Sequence, residues 1–272
     1  PMARRPRKIH ADTVYCGTQR TVDRQFLFKP TDEIRNIVGS SAGRALAKHP
    51  VIIYWLDFNI NHKQTGIAPL SDSPEDRYHF IQFNRMFNSI TARETNRAHS
   101  RDGGVYSTPD RVDEAIDDSS VEQQLLYAVT NPVKDGLVDR IAHWKGASSY
   151  HQLATGEVDR YTFINRTAYH RAGGKRGKRP LEAFRESVDV QLTPIPSWAA
   201  MPPKERQALF RRRVRQLEQE FREERELEGR RAMTRRAMEK VDPRDRPKNP
   251  PERSPQPLCH ASTLEAAQEY AE

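Results

Sequence analysis

Two patterns of hydrophobic and polar positions alternate along the first half of the chain. β-forming residues interspersed with polar ones predict a strand over residues 12–18, and a dense run of branched and aromatic residues predicts a central strand over 51–67. Apolar positions at helical spacing predict helices over 32–48 and 75–99, and Thr31 is placed to cap the first of them. This mixture of strands and helices predicts the α+β class.

A further amphipathic helix is predicted over residues 119–130. Ser119 and Glu122 have the spacing of a capping box, and the segment contains neither Gly nor Pro. Its apolar stripe consists of Val121, Leu125, Ala128 and Val129. Because a residue before proline is disfavoured in helical geometry, Asn131-Pro132 is expected to end the helix.

Tyr127 and Asn131 are four positions apart, so one side chain is placed above the other on this helix. Together with Gln123 they lie roughly opposite the apolar stripe, and a phenol and an amide are therefore presented away from the packed side. Tyrosines also occur on helices simply as packing residues. The pattern alone leaves both interpretations of Tyr127 open.

Beyond residue 155 the sequence changes in character. Residues 156–200 are predicted to be a basic linker containing glycine and proline, with five basic residues in RAGGKRGKR at 171–179. Residues 201–241 are predicted to be a long, charged amphipathic helix that docks onto the core, with a short coiled coil or a protein partner as alternatives. The proline-rich and charged residues 242–272 are predicted to be mostly disordered.

The composition favours one core and a polyanionic partner. The chain has 272 residues, of which 36% are hydrophobic and 19 are prolines, which suits one medium domain with poorly packed extensions. Its 45 basic and 37 acidic residues give a formal net charge of +8. Such a charge suits a nucleic acid partner without proving one.

Cysteine use and hydropathy limit the expected cellular setting. Cys16 and Cys259 are too few and too far apart in sequence for a disulfide framework, which favours a reducing interior. No run of about 18 apolar residues occurs, and the basic N-terminus is not followed by an apolar stretch of signal-peptide type. We therefore expect a soluble, intracellular protein with no membrane partner.

The segment that starts at Tyr127 resembles a known signature. It is similar to YxxxNPVxxGLV followed by W…SSY, which marks the REP-associated tyrosine transposases, a branch of the single-tyrosine HUH transposases. The matching residues are Tyr127, Asn131, Pro132, Val133, Gly136, Leu137, Val138, Trp144, Ser148, Ser149 and Tyr150. The resemblance covers about residues 9–155 within a predicted domain of residues 1–155. It implies a ferredoxin-like antiparallel sheet with helices packed on one face. The residues beyond the resemblance are expected to add a helical basic C-terminal extension.

The resemblance also implies a metal site. In the family a strand ends with two histidines two residues apart, so that both project to one face and share a divalent ion. Here His62 matches the first histidine, whereas Gln64 replaces the second and Lys63 replaces the apolar residue between them. Asn131 occupies the place of a ligand one helical turn after the tyrosine. The implied site holds Mg or Mn through His62, Gln64 and Asn131, weakly because an amide is a poorer donor than an imidazole.

Basic residues are the candidate DNA contacts. Arg20 and Arg24 match the family's basic turn after the first strand, although ordinary solvated charges would look the same. Arg85 and Arg93 lie on the polar side of the helix predicted over 75–99, where simple solvation is the alternative to phosphate contact. The full set of candidate DNA-binding residues is Arg20, Arg24, Lys63, Arg85, Arg93, Lys175, Arg176, Lys178 and Arg179.

By resemblance, the expected function is DNA transposition by an enzyme that acts on single-stranded, hairpin-forming DNA in the prokaryotic cytoplasm, at the nucleoid. Tyr127 is the expected nucleophile of a cleavage that yields a 5′-phosphotyrosine and a free 3′ hydroxyl. The sequence contains no GxxxxGK[ST] phosphate loop, which is consistent with a reaction that needs no ATP. Because Lys63 and Gln64 depart from the family pattern, a domesticated DNA-binding or assembly module without catalysis stays open. The resemblance also leaves open whether the protein is a monomer or a homodimer.

Overall fold

A four-stranded antiparallel sheet forms the centre of the molecule. The computed structural model describes residues 9–107, 110–247 and 259–271. The strands are β1 (Val14–Arg20), β2 (Ile52–Asn59), β3 (His62–Ala68) and β4 (Arg111–Ala115), in the order β2-β3-β1-β4 across the sheet. One helix connects β1 to β2 and another connects β3 to β4, which is the βαββαβ, ferredoxin-like topology. The expected α+β class and antiparallel sheet are confirmed.

The run predicted as one central strand, 51–67, is a hairpin, so that prediction is wrong. β2 ends at Asn59, residues 60–61 form the turn, and β3 begins at His62, which pairs with Asn59. The hydrophobic pattern missed the turn because a branched residue continues through it. His62 and Gln64 therefore stand at the start of an inner strand and not at the end of a long one.

Two helices cover one face of the sheet. α1 (Asp32–Leu46) begins after Thr31, whose side chain accepts a hydrogen bond from the Ile34 backbone N–H at 3.2 Å, as expected of a cap. α2 (Pro74–Ala98) buries the stripe that its sequence predicts, Phe80, Phe83, Phe87 and Ile90. Both helices share one apolar cluster with the strand side chains that face them.

A third helix, α3 (Asp118–Lys134), covers the opposite face of the sheet. Asp117 caps it and forms a capping box with Ser120, so the predicted box of Ser119 and Glu122 is wrong. The aspartate one residue before the helix is as good a cap as serine, and it takes that role. Helices were expected on one face only; here both faces are covered, because the apolar stripe of α3 packs on the strands as well.

α3 continues through Pro132, contrary to the expectation that Asn131-Pro132 ends it. The helix ends at Lys134, and Gly136 follows with a φ of +69°. Asn131, Pro132 and Val133 are all buried, so the packing of this last turn offsets the cost of a proline inside a helix. Tyr127 and Asn131 therefore stay on one continuous helix.

The remaining helices lie in the second half of the chain. They are α4 (Tyr150–Thr155), α5 (Arg166–Arg171), α6 (Pro203–Leu227), α7 (Arg235–Glu239) and α8 (Leu264–Ala271). The predicted docking of the charged helix is confirmed, because Phe210 and Val214 of α6 are buried in the cluster that contains the stripe of α3. Its predicted length is wrong, since Gly229, with a φ of +64°, follows its end. In the ranges that the structure describes, no helix combines the length and apolar character needed to cross a membrane.

Residues 156–200 are not a linker, which corrects the prediction made from composition. β5 (Asp159–Ile164) and β6 (Arg185–Val190) pair in an antiparallel manner and pack on α1. The ring of Tyr161 lies against Gly39 of α1. The surface that receives this unit is formed by small residues more than a hundred positions earlier, so local composition could not reveal it.

Gly39→Ala is expected to lower the free energy of unfolding by about 1–2 kcal/mol, although alanine is the better helix former. A Cβ atom at position 39 lies 2.3 Å from carbon atoms of the Tyr161 ring, so the ring must move. Urea unfolding followed by circular dichroism measures the change. In a Tyr161→Ala background the same substitution should be neutral or stabilising, and an equal loss there would contradict the packing of β5 on α1.

The C-terminal end of the chain is more ordered than predicted for residues 242–272. His260 pairs in parallel with Ala115, and its backbone N–H donates to the Glu114 carbonyl at 2.7 Å, so this segment extends the sheet beside β4. An open sheet edge offers unpaired backbone groups, which explains why the segment around His260 docks there. Residues 248–258 and 272 of the predicted tail lie outside the described residues.

Candidate functional site

β3 and α3 bring together the three side chains of the predicted metal site. His62 and Gln64 are two positions apart on β3, so both side chains point to the same face of the sheet, the face that α3 covers. The Asn131 amide nitrogen, Nδ2, donates to His62 Nε2 at 2.8 Å and to Gln64 Oε1 at 2.9 Å. Two lone pairs from one strand therefore converge on one amide group of the helix.

Asn131 faces the sheet, which corrects the prediction that it points away from the packed side. Its exposed fraction is 3%, whereas Tyr127, one helical turn earlier, is 39% exposed. The amide can be buried because β3 supplies its hydrogen-bond partners, and a helical pattern contains no information about such partners. Tyr127 lies at the rim of the site, where solvent and a substrate can reach the phenol.

The hydrogen bonds of His62 fix its protonation state. Nδ1 donates to Asn61 Oδ1 at 2.9 Å, while Nε2 accepts from Asn131. Burial, followed by the positive charge of Arg20, lowers the imidazole pKa from 6.5 to about 4. The imidazole is therefore neutral near pH 7, with one nitrogen held by a partner and the lone pair of the other directed into the site, as in metal-binding histidines.

In protein treated with EDTA, the imidazole of His62 is expected to stay neutral, with its proton on Nδ1, down to about pH 5. Nitrogen chemical shifts of labelled histidine side chains measure this, and His62→Gln assigns the signal. Between pH 6.5 and about 4 the unfolded chain binds a proton here that the folded chain does not, so this group lowers the free energy of unfolding as the pH falls. An ordinary pKa near 6.5 would contradict the buried, neutral imidazole.

Charged neighbours surround the phenol of Tyr127. Burial raises its pKa, the carboxylate of Asp135 raises the pKa further, and the guanidinium of Arg20 lowers it. The ammonium group of Lys134 lies 4.8 Å from the centre of the ring. The phenol is therefore protonated at neutral pH, and a nucleophilic role requires that it lose its proton during the reaction.

Two residues next to the site, Asn59 and Asp135, were not identified from the sequence. Asn59 Nδ2 donates to Asp135 Oδ2 at 2.6 Å, which connects the end of β2 to the residue that follows α3. Burial raises the pKa of Asp135. The sequence signal for Asn59 was that it is a polar residue in an apolar run. Its role could be inferred only from the turn after Asn59, which places this residue opposite His62.

The serines of the W…SSY segment bind the edge of the sheet beside the site. Ser148 Oγ and the Ser149 backbone N–H donate to Asp57 Oδ1 at 2.7 and 3.0 Å, and the Leu56 backbone N–H donates to Ser149 Oγ at 2.6 Å. Burial raises the pKa of Asp57 to about 6 despite these bonds. Asp57 pairs with Gln64 in the sheet, so the serines hold β2 at the level of the site.

Lys63 is buried and paired with a carboxylate, so it does not offer the exposed cation that its inclusion among the candidate DNA contacts assumed. Its side chain is fully buried on the face of β3 that α2 covers. Nζ donates to Asp110 Oδ2 at 2.5 Å and to Asn88 Oδ1 at 2.6 Å, and it lies 5.3 Å from the centre of the Phe87 ring. Side chains alternate between the two faces of a strand, so Lys63 points to the face opposite His62 and Gln64. Because α2 covers that face, the lysine is buried and its charge must be paired.

The other candidate DNA contacts lie in separate places. Arg20 is exposed on β1, and its charge acts on both the imidazole and the phenol of the site. Arg24 follows β1 in a short helical turn. Arg85 and Arg93 are exposed on α2, on the other side of the sheet from the site. The remaining four candidates are exposed between β5 and β6: Lys175, Arg176, Lys178 and Arg179.

The chemistry of the site suits a hard divalent cation. His62 Nε2 and Gln64 Oε1 already converge on the Asn131 amide, which presents its oxygen in place of its nitrogen after rotation about one bond. The three donors are neutral, so weak binding is expected. Within the described residues, no group of three or more His, Cys, Asp or Glu side chains could hold a metal ion. The candidate site consists of one imidazole and two amides.

No protein-family model matches the chain, and no curated protein does. Among solved structures, that of a REP-associated tyrosine transposase bound to a REP hairpin is similar, with 14% sequence identity and a TM-score of 0.44. The similar region covers 57% of this chain and 87% of that chain. At so low a TM-score the similarity establishes neither a shared fold nor a shared function.

Proposed function

We propose that this protein is a transposase-like enzyme that cleaves and rejoins single-stranded, hairpin-forming DNA with Tyr127 as its nucleophile. The observation that carries the proposal is the convergence of His62 and Gln64 on Asn131, one helical turn from the partly exposed phenol. Attack on a phosphodiester needs a nucleophile and a cation that offsets the charge of the phosphate. Here the phenol is the nucleophile, and the lone pairs of His62 and Gln64 suit a cation. The resemblance of the sequence from Tyr127 to Tyr150 supports the same chemistry.

The reaction requires a polarised phosphate and a deprotonated phenol. A magnesium or manganese ion held by His62, Gln64 and Asn131 would offset the negative charge of the scissile phosphate. The Tyr127 oxygen attacks phosphorus in line, the bond to the 3′ oxygen breaks, the leaving oxygen takes a proton, and the phenol proton passes to solvent. The products are a 5′-phosphotyrosine and a free 3′ hydroxyl, and the reverse reaction with another 3′ hydroxyl rejoins the DNA without ATP.

The residues around the phenol have separate roles in this proposal. Arg20 lowers the pKa of the phenol and attracts the DNA phosphate. Asn61 holds His62 in the tautomer whose Nε2 lone pair faces the site. Asp135, which Asn59 holds in place, raises the pKa of the phenol, so Tyr127 stays protonated until a phosphate and a cation approach. The setting that fits this activity is the prokaryotic cytoplasm, at the nucleoid.

A covalent protein–DNA adduct that depends on metal tests the proposal. Labelled single-stranded hairpin DNA, incubated with the full chain and Mn²⁺, should yield a band that migrates with the protein on a denaturing gel. EDTA should abolish this band, and His62→Ala should weaken it at least about tenfold, because the cation loses its imidazole ligand. Gln64→His is the matched control: it adds an imidazole and should strengthen the band when Mn²⁺ is limiting.

The alternative function is a DNA-binding or assembly module without catalysis, and the amide of Gln64 in a histidine position is the observation that favours it. Such a module would bind the hairpin but form no adduct at any Mn²⁺ concentration, either as the native chain or as Gln64→His. That outcome would remove the enzymatic proposal. Adduct formation by the native chain would remove the alternative.

A further inference from the structure

The segment between β5 and β6, residues 165–184, carries most of the net positive charge of the chain; we refer to it as the basic tip. It contains six basic residues and one acidic residue, a net charge of +5 in a chain of net charge +8. The five basic residues of 171–179 are all exposed. Charge at this density attracts a polyanion unless neighbouring carboxylates neutralise it.

Carboxylates do not neutralise this charge within the described part of the chain, where no basic side chain of the basic tip forms an ion pair. Many arginines elsewhere on the surface do so: Arg77 with Asp72, Arg97 with Glu94, Arg160 with Asp189, Arg213 with Glu122 and Arg230 with Glu228. Other exposed arginines, such as Arg85 and Arg212, form no ion pair with a described residue either. The basic tip differs in density, because positions 171–179 contain five basic residues and no acidic residue.

The basic tip is folded. Asn165 caps α5 by accepting a hydrogen bond from the Ala168 backbone N–H at 2.9 Å. The ring of Tyr169 packs edge-on against Phe184, with 5.6 Å between ring centres. The guanidinium of Arg179 lies 4.7 Å from the centre of the Phe184 ring. Because these contacts fix the chain between the cations, the charges form a surface of defined shape.

The basic tip is also anchored to the domain that carries the candidate site. Asn36 of α1 donates to the Thr162 carbonyl at 2.6 Å and accepts from the Thr162 backbone N–H at 2.8 Å. Arg35 of α1 pairs with Asp159 at 3.3 Å. A polyanion held by the basic tip is therefore held in a fixed position relative to the sheet, and the ordering cost on binding is small.

We propose that the basic tip binds the phosphate backbone of duplex DNA, such as the stem of a hairpin whose single-stranded part reaches Tyr127. A single strand is less suited to this surface, because proteins bind single strands by stacking bases on aromatic rings, and Tyr169 and Phe184 already pack against each other. A duplex offers phosphates at about twice the density along its axis, which suits clustered cations without free rings. The proposal rests on the proposed function for the choice of DNA.

Binding of a DNA duplex across a range of salt concentrations tests this assignment. The variant Lys175→Gln/Arg176→Gln/Lys178→Gln/Arg179→Gln should bind at least about tenfold more weakly near 0.15 M salt, and the slope of log affinity against log salt should become shallower by about 0.9 for each lost contact. The matched control, Arg77→Gln/Arg97→Gln/Arg213→Gln/Arg230→Gln, removes four arginines that face carboxylates and should change binding less than about twofold.

Unchanged duplex binding by the first variant would overturn the proposal, and so would equal weakening by both variants. Tighter binding of an RNA duplex than of the same DNA sequence, lost in the first variant, would overturn the choice of DNA. Adduct formation on a single strand that lacks a stem should be unchanged in the first variant. Since binding is measured without cleavage, failure of this proposal and failure of the proposed function give different results.

Discussion

Replacing Tyr127 by phenylalanine is expected to lower the rate of adduct formation by at least about a thousandfold, to the limit of detection. The phenol oxygen is the atom that forms the bond to phosphorus, and phenylalanine lacks it. The variant should fold normally, since the ring is retained and the hydroxyl lies at the exposed rim. The measurement is the rate of band formation on a denaturing gel with Mn²⁺.

The control for this variant is Tyr150→Phe, which removes the hydroxyl of another tyrosine in the same signature. Tyr150 packs against Phe210 of α6, with 5.9 Å between ring centres, so its role is to dock the helix. The rate of adduct formation by Tyr150→Phe should stay within about threefold of the native rate. Hairpin binding should be equal in both variants, and an adduct that persists in Tyr127→Phe would assign the chemistry to another residue.

Asp110→Ala is expected to lower the free energy of unfolding by about 3–5 kcal/mol. The change leaves the ammonium group of Lys63, which is fully buried beneath α2, without its carboxylate; among the described residues Asn88 is then its remaining acceptor. A charge left unpaired in such a place costs far more than the ion pair contributes. Urea unfolding followed by tryptophan fluorescence and circular dichroism gives the value.

The double variant Lys63→Met/Asp110→Ala separates the charge effect from the loss of packing. Removing both charges should restore most of the stability, because methionine fills the space beside Phe87 with no charge to solvate. The family resemblance places an apolar residue at position 63, which fits this expectation. A cost below about 1 kcal/mol for Asp110→Ala alone would contradict the burial of the pair.

Local signals in the sequence predicted the elements whose packing is simple. The cap at Thr31 and the stripe of Phe80, Phe83 and Phe87 set α1 and α2 close to their observed bounds. The turn at residues 60–61 was missed, because a branched residue continues the strand pattern through it. Missing this turn also hid the pairing of Asn59 with His62, which follows from the register of a hairpin and not from spacing along one strand.

Features that depend on distant contacts could not be predicted from local patterns. Lys63 was expected at a surface, because nothing in its own segment shows the carboxylate 47 positions later that pairs with it. The composition of residues 156–200, which include the basic tip, suggested a linker, yet Gly39 and Gly43 of α1 receive side chains of β5 and β6. The roles expected of His62, Gln64 and Asn131 came from the family resemblance; the structure adds that the three side chains meet.

The site of covalent attachment tests the central claim most directly. The adduct formed with labelled hairpin DNA and Mn²⁺ is digested with nuclease and trypsin, and mass spectrometry locates the residue that carries the 5′-phosphate. We predict a nucleotide on Tyr127, with the phosphate between the phenol oxygen and the 5′ carbon. Attachment to any other residue, or a native chain that binds hairpin DNA and never becomes linked to it, would contradict the mechanism.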